Sequence, residues 1–287
     1  MVGGQMAPGK SVGGEPRSRE PAAGQPLTSP TLAVLNGAAL VVTLVMNALA
    51  NLLPLNGRTT GEISYGFSAN LFAPASYVFS VWGLIYLLLT AFVGYQATPR
   101  GRRSAAVARV GPWFASSCVA NVVWVTFWHY GLFPATLAAM VVLLVSLCAV
   151  VAGLGPPRAA PSRSDRWLVY LPFSVYLGWI SVATIANASI VLLDMGWDGA
   201  PLSPAVWTLV MLAVATGLGA WMVLWRGDAA CGAVLVWAFV GIAVEQAAVA
   251  WVPVSAWAAA GVLVALAGWR WLRGLGSGPS GPRTIAA

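Results

Sequence analysis

Three rows of aromatic and amide side chains recur at helical spacing: Phe79, Trp82 and Tyr86; Asn121, Trp124 and Trp128; and Tyr176, Trp179 and Ala183, the last continuing one turn to Asn187. Positions i, i+3 and i+7 lie on one helical face, so each row forms a stripe. Indole and phenol rings give flat apolar walls with one polar handle, and amides give directed donors and acceptors. Such a set suits noncovalent recognition of a planar apolar molecule. The same residues could equally serve as interhelical glue at ~1 kcal/mol per hydrogen bond, and spacing alone leaves both accounts open. No nucleophile–base pair, phosphate loop or ligand cluster accompanies them. His129 is the single histidine, and Cys118, Cys148 and Cys231 lie inside apolar runs where packing explains them. No catalytic residue and no metal ligand is therefore assigned.

The elements that must carry these rows are membrane helices. The 287 residues are 59% hydrophobic and only 8% charged, against roughly 25% charged in globular chains. Such a chain cannot cover a water-facing surface, so the lipid bilayer is its main partner. Apolar stretches of spanning length, ~20 residues for a ~30 Å core, are predicted at 32–53, 74–97, 110–130, 133–154, 167–193, 204–225, 231–250 and 253–273. Residues 1–31 read as a disordered tail and 274–287 as a flexible one. Pro74, Pro112, Pro134, Pro204 and Pro253 stand near segment starts, where a missing N–H costs little; Pro172 predicts a kink in the fifth helix.

With both ends cytoplasmic, every Lys and Arg except Arg58 falls on an inside segment, as the positive-inside rule demands. The reading is an all-α integral membrane protein of about eight transmembrane helices in the cell membrane. Basic residues scattered between apolar runs form no face for nucleic acid, which is excluded as a partner. Ala48-Leu49-Ala50 resembles a signal-peptidase site, but the tail before it is too long and the apolar run spans fully.

Depth follows from the helical rise: Trp82 lies ~12 Å and Trp124 ~9 Å below the outer ends of their helices. Asn187 is similarly deep, and Asn47 and Asn51 approach the outer end of helix one. Trp113, Trp167, Trp197, Trp251, Trp269 and Trp271 instead sit at helix ends, where the interface explains them. Amides facing lipid are costly, so the asparagines point toward other helices or water. The outer connection 54–73 is the longest and is expected to form a lid. Its Arg58 meets a ligand carboxylate or pairs with Glu62. Glu245, ~7 Å from the outer end of the predicted seventh helix, is a proton-coupling group or a snorkelling side chain beside Gln246.

Read in order, these residues resemble a known family. Pro74-Ala-Ser-Tyr-Val-Phe-Ser-Val-Trp-Gly-Leu-Ile-Tyr86, running on to Tyr95-Gln96, is similar to the second helix of the TspO/MBR family, the tryptophan-rich sensory proteins and mitochondrial translocator protein. Asn121 and Trp124, followed by Phe127, Trp128 and Gly131, resemble its third-helix element, and Tyr176, Trp179, Ala183 and Asn187 its fifth. The resemblance covers 32–194, the five-helix unit. Val175, Ala186 and Ala120 depart from the motifs, only Pro74 remains of a doubled proline, and the three-helix extension 195–273 has no counterpart in short members.

The resemblance implies a five-helix bundle, often a homodimer, that binds porphyrins or other flat hydrophobic ligands beneath the first loop. Carried over, the pocket would be built from Trp82, Tyr86, Asn121, Trp124, Trp128, Tyr176, Trp179, Asn187 and Asn47, with Ala183 giving room and Arg58 pairing with a propionate. No cofactor is required; a porphyrin or haem would be bound as ligand. The expected function is tetrapyrrole binding for sensing or stress regulation. The alternatives are a transporter of small hydrophobic molecules that uses Glu245 and helices six to eight, and porphyrin breakdown with the tryptophans as redox partners.

Overall fold

The computed structural model describes residues 27–53 and 55–276. Of the tails expected at 1–31 and 274–287, residues 1–26 and 277–287 lie outside the described residues, and helix already begins at Pro30 and still runs to Gly276. Eight long helices follow one another: α1 Pro30–Leu52, α2 Val81–Ala97, α3 Trp113–His129, α4 Phe133–Leu154, α5 Leu171–Asp194, α6 Pro204–Trp221, α7 Ala229–Glu245 and α8 Val252–Gly276. No strand occurs among the described residues. Six helical segments are long and apolar enough to cross a bilayer. The helices α3 and α7 have 17 residues each. The protein is an all-α, multi-pass membrane protein.

Local chemistry sets the ends. Ser29 accepts the Leu32 N–H ahead of Pro30, Ser203 accepts the Val206 N–H ahead of Pro204, and Asp228 accepts the Cys231 N–H to open α7. A 3₁₀ turn, Ser76–Ser80, leads into α2. The disturbance expected at Pro172 takes the form of a π-helical turn, Arg166–Tyr170, just before it. The wider turn absorbs the proline, which has no N–H to give.

The first five helices close a ring in which α1 touches α2 and α3, α3 packs on α4, α4 on α5, and α5 returns to α2. Helix α5 is the hub: most of its residues are buried, whereas most of those of α1 are not. Its far side packs on α7, with α8 against α7 and α6 against α8. Close approach there depends on Gly178 of α5, where a Cβ would lie 3.0 Å from the Cys231 carbonyl oxygen and 3.1 Å from Val234 Cβ. Small residues take this role where helices pack without water to drive them together. Val34, Val41, Leu87, Val145 and Val214 are exposed on the outside, as lipid-facing positions should be.

At the Arg-rich end, buried Asp165 accepts from the hydroxyls of Tyr95 (3.1 Å), Ser104 (2.5 Å) and Ser162 (2.7 Å). Arg226 donates to the last carbonyls of α4, Val151 at 2.7 Å and Gly155 at 2.8 Å, satisfying acceptors that a helix end leaves open.

The structure corrects the predicted seventh helix, 231–250. Helix α7 stops at Glu245, and the chain turns through 246–251 to Trp251, whose φ is 68°. Residues 247–250 are small and apolar, so hydropathy ran on past Glu245 and Gln246 through the turn. Glu245 is therefore an exposed terminal residue of α7 and not an acid inside a helix.

Overpacking at Gly178 gives a direct test of the α5–α7 contact. Gly178→Val is expected to cost about 1–3 kcal/mol and lower the thermal unfolding midpoint of purified protein by several degrees. An unchanged midpoint would mean that α5 and α7 do not meet there.

Candidate functional site

The three rows predicted from spacing face one another inside the ring. Trp82 is their junction: its ring centroid lies 5.5 Å from Tyr86 and 6.2 Å from Trp124, both stacked, and 6.1 Å from Tyr176 and from Trp179, both edge-on. Trp124 stacks on Trp128 at 5.5 Å, and Phe79 meets Trp179 edge-on at 5.8 Å. These separations fall in the favourable range for aromatic pairs. The chain of rings continues from Trp128 through Phe133 to Phe67, beyond the ring of helices.

The rings enclose a cavity of about 50 Å³, walled by Phe79, Trp82, Trp124, Trp128 and Trp179, with Ala183 and Ala186 leaving room and Thr60 and Ser64 also lining it. Asn187 lines it too, but its amide bonds Thr136 Oγ1 at 2.9 Å. Asn121 and Asn47 lie behind the wall. Asn47 donates to Asn121 Oδ1 at 2.7 Å, and Asn121 donates to the Tyr176 hydroxyl at 3.3 Å. The asparagine side chains thus join α1, α3, α4 and α5. Tyr86 and Tyr176 back Trp82 without lining the cavity, and Arg58 is exposed on the lid, away from it.

In the aromatic cluster three buried polar atoms have no hydrogen-bond partner among the described residues: the Tyr86 hydroxyl and the indole Nε1 of Trp124 and of Trp179. Trp124 and Trp179 are buried, 6% and 3% exposed. An indole N–H can only donate, and a buried donor without a partner costs about 1–3 kcal/mol. Both indoles belong to residues that line the cavity. No group of three or more His, Cys, Asp or Glu among the described residues could hold a metal ion.

The expected lid is built around a short helix, Thr60–Tyr65. A capping box opens it: Thr59 N–H donates to Glu62 Oε2 at 2.7 Å, and Glu62 N–H donates to Thr59 Oγ1 at 3.3 Å. The end of α3 holds it down. Trp128 Nε1 donates to the Thr60 carbonyl at 3.1 Å, and the His129 ring bridges the Leu55 carbonyl and Thr60 Oγ1, both at 3.1 Å. A carbonyl only accepts, so Nδ1 carries a proton toward Leu55. Sequence reasoning gave His129 no catalytic or metal-binding role. Its partners are 69 and 74 positions away in the chain, and no local pattern signals them.

Helix α7 braces the pocket from outside. The Ala75 N–H donates to the Gly241 carbonyl at 3.1 Å, Trp237 Nε1 to the Val78 carbonyl at 3.1 Å, and Gln246 Nε2 to the Ala73 carbonyl at 3.4 Å. A Cβ on Gly241 would collide with Val78 and sit 3.1 Å from Pro74 Cβ. Pro74 and Phe79, on the segment so gripped, are cavity walls.

Fold and site together define a class: a multi-pass helical membrane protein with an aromatic pocket closed by a loop held down at one end of the bundle. The family model for TSPO-like protein matches residues 33–269, and the chain belongs to that family. The match takes in α6 to α8, which the motifs had left outside. Comparison with curated proteins and with solved structures returns no match.

Two measurements check the lid. His129→Ala removes both bonds of the bridge, and hydrogen exchange across 55–65 is expected to quicken while α5 stays protected. Equal exchange would mean that the bridge holds nothing. For pH, the N–H and hydroxyl of Thr59, with Arg58 nearby, hold the Glu62 carboxyl below its usual value. A depressed carboxylate contributes stability above its unfolded pKa and loses it as pH falls through the folded one. Protection of 59–66 should therefore fall only below about pH 4, and Glu62→Gln should abolish that step.

Proposed function

We propose that the protein binds a planar hydrophobic ligand of the tetrapyrrole class beneath the lid, for sensing or stress regulation, in a cell membrane with both termini cytoplasmic. The carrying observation is the pair of partnerless indole donors, Trp124 and Trp179, on an otherwise aromatic wall. Stacking against such rings suits a flat conjugated ligand, and acceptors on that ligand would receive the two N–H groups.

The closed cavity is about 50 Å³, well under the ~300–1,000 Å³ typical of ligand pockets. A macrocycle therefore enters only when the lid lifts and the Trp82 and Trp128 rings turn aside. The asparagines are occupied between helices, so the reading rests polar recognition on indoles and not on amides. The transporter alternative drew on an acid inside α7, and Glu245 stands at that helix's end.

Titration with protoporphyrin IX, followed by tryptophan fluorescence, tests the reading. Saturable micromolar quenching is expected, weakened at least tenfold in the Trp82/Trp124/Trp179→Phe triple variant. Non-saturating quenching of equal size in both proteins would sink it.

A further inference from the structure

The outer surface carries a second concavity that the lid pocket does not explain. Between α2, α5 and α7 runs a groove of about 490 Å³, walled by Val81, Leu84, Val175, Val234 and Trp237. Leu171 and Ala230 in its lining also line a neighbouring hollow of about 320 Å³, which holds Arg158, Arg166, Trp167, Ser174 and Asp228. The two form one trough, apolar along the helices and cationic where the helices end. Its cationic end lies away from the lid: Leu171 precedes the cavity residue Ala183 by twelve positions of α5, about 18 Å of helix.

We propose that this trough binds one anionic glycerophospholipid, an acyl chain in the apolar arm and the phosphate between Arg158 and Arg166. Charge decides the occupant. Neither guanidinium has a carboxylate or hydrogen-bond partner among the described residues. The one acid in the hollow, Asp228, is 1% exposed and already engaged. Its Oδ1 accepts the Cys231 N–H at 3.1 Å, and its Oδ2 accepts from Ser174 Oγ at 2.6 Å. The hollow thus keeps a net positive charge at its mouth. Arg163 is exposed on the same connection, and Asp165, also there, is buried under three hydroxyl donors.

Position supports the same occupant. Trp167, 55% exposed beside Arg166, is the amphipathic ring expected at headgroup level. Basic pockets between membrane helices recognise anionic headgroups, and arginine can grip a phosphate with two parallel bonds. A chain end alone would occupy the apolar arm without needing the arginines. A soluble phosphate would use the arginines without needing the arm. Only a molecule with both parts accounts for their continuity.

Native mass spectrometry of the full-length protein, titrated with phosphatidylglycerol and phosphatidylcholine in equal amounts, tests this. Phosphatidylglycerol is expected to be retained at least tenfold more tightly. The Arg158→Gln/Arg166→Gln variant should bring the two lipids within threefold, Arg158→Lys/Arg166→Lys should keep most of the preference, and Ala233→Phe, which fills the arm, should weaken both lipids. Glycerol phosphate, which has no chains, should not compete. Equal retention of the two lipids by the wild type would mean annular lipid only and overturn the proposal. So would an undiminished preference in the glutamine variant, or displacement by glycerol phosphate. The circular-dichroism melt of the glutamine variant should match the wild type, since both arginines are exposed.

Discussion

A polar group in hydrocarbon has no water to turn to, and this constraint sorts nearly every polar side chain inside the bundle. Thr43, Thr126, Ser146, Ser181 and Thr184 return their hydroxyls to a carbonyl one turn earlier in their own helix. Asn36 reaches Gln96, Asn47 reaches Asn121, and Asn187 reaches Thr136, each pair joining two helices. Once these bonds are made, the inner helices have a fixed register, and the aromatic rows come face to face. At the pocket, the Tyr86 hydroxyl and the indole donors of Trp124 and Trp179 stand out as groups without a partner among the described residues.

Much of this was legible in the sequence, for a physical reason. In a membrane protein the solvent writes itself into composition, so helix positions followed from apolar length. Spacing of i, i+3 and i+7 then placed Trp82, Trp124 and Trp179 on inward faces, and depth brought them to one level. What stayed hidden was pairing. An asparagine that must point inward can serve a ligand or a neighbouring helix, and its own sequence does not choose. His129 and Asp165 gather partners from distant segments, which no periodicity records. The end of α7 was lost because alanine and valine are apolar in a turn and in a helix alike.

The last three helices gain a structural meaning from the same contacts. A glycine at 241 and another at 178 let α7 approach the entry to α2 and the side of α5. The wall that carries Pro74 and Phe79 is thereby held from outside the ring, by three hydrogen bonds from α7 and the turn after it. That wall is consequently the stiff side of the pocket. The opposite edge is hung on the end of α3, through Trp128 and His129.

This asymmetry has a kinetic consequence. Under the proposed function the resting pocket is smaller than its ligand, and it would spend only part of its time competent to receive one. The affinity measured is then the intrinsic affinity reduced by the open fraction. Capture would also be slowed by the rarity of opening, and escape would wait on the lid that has settled over the guest. Residence time, set by a few bonds between the loop and the last turn of α3, would then be tunable without altering a single ring that touches the ligand.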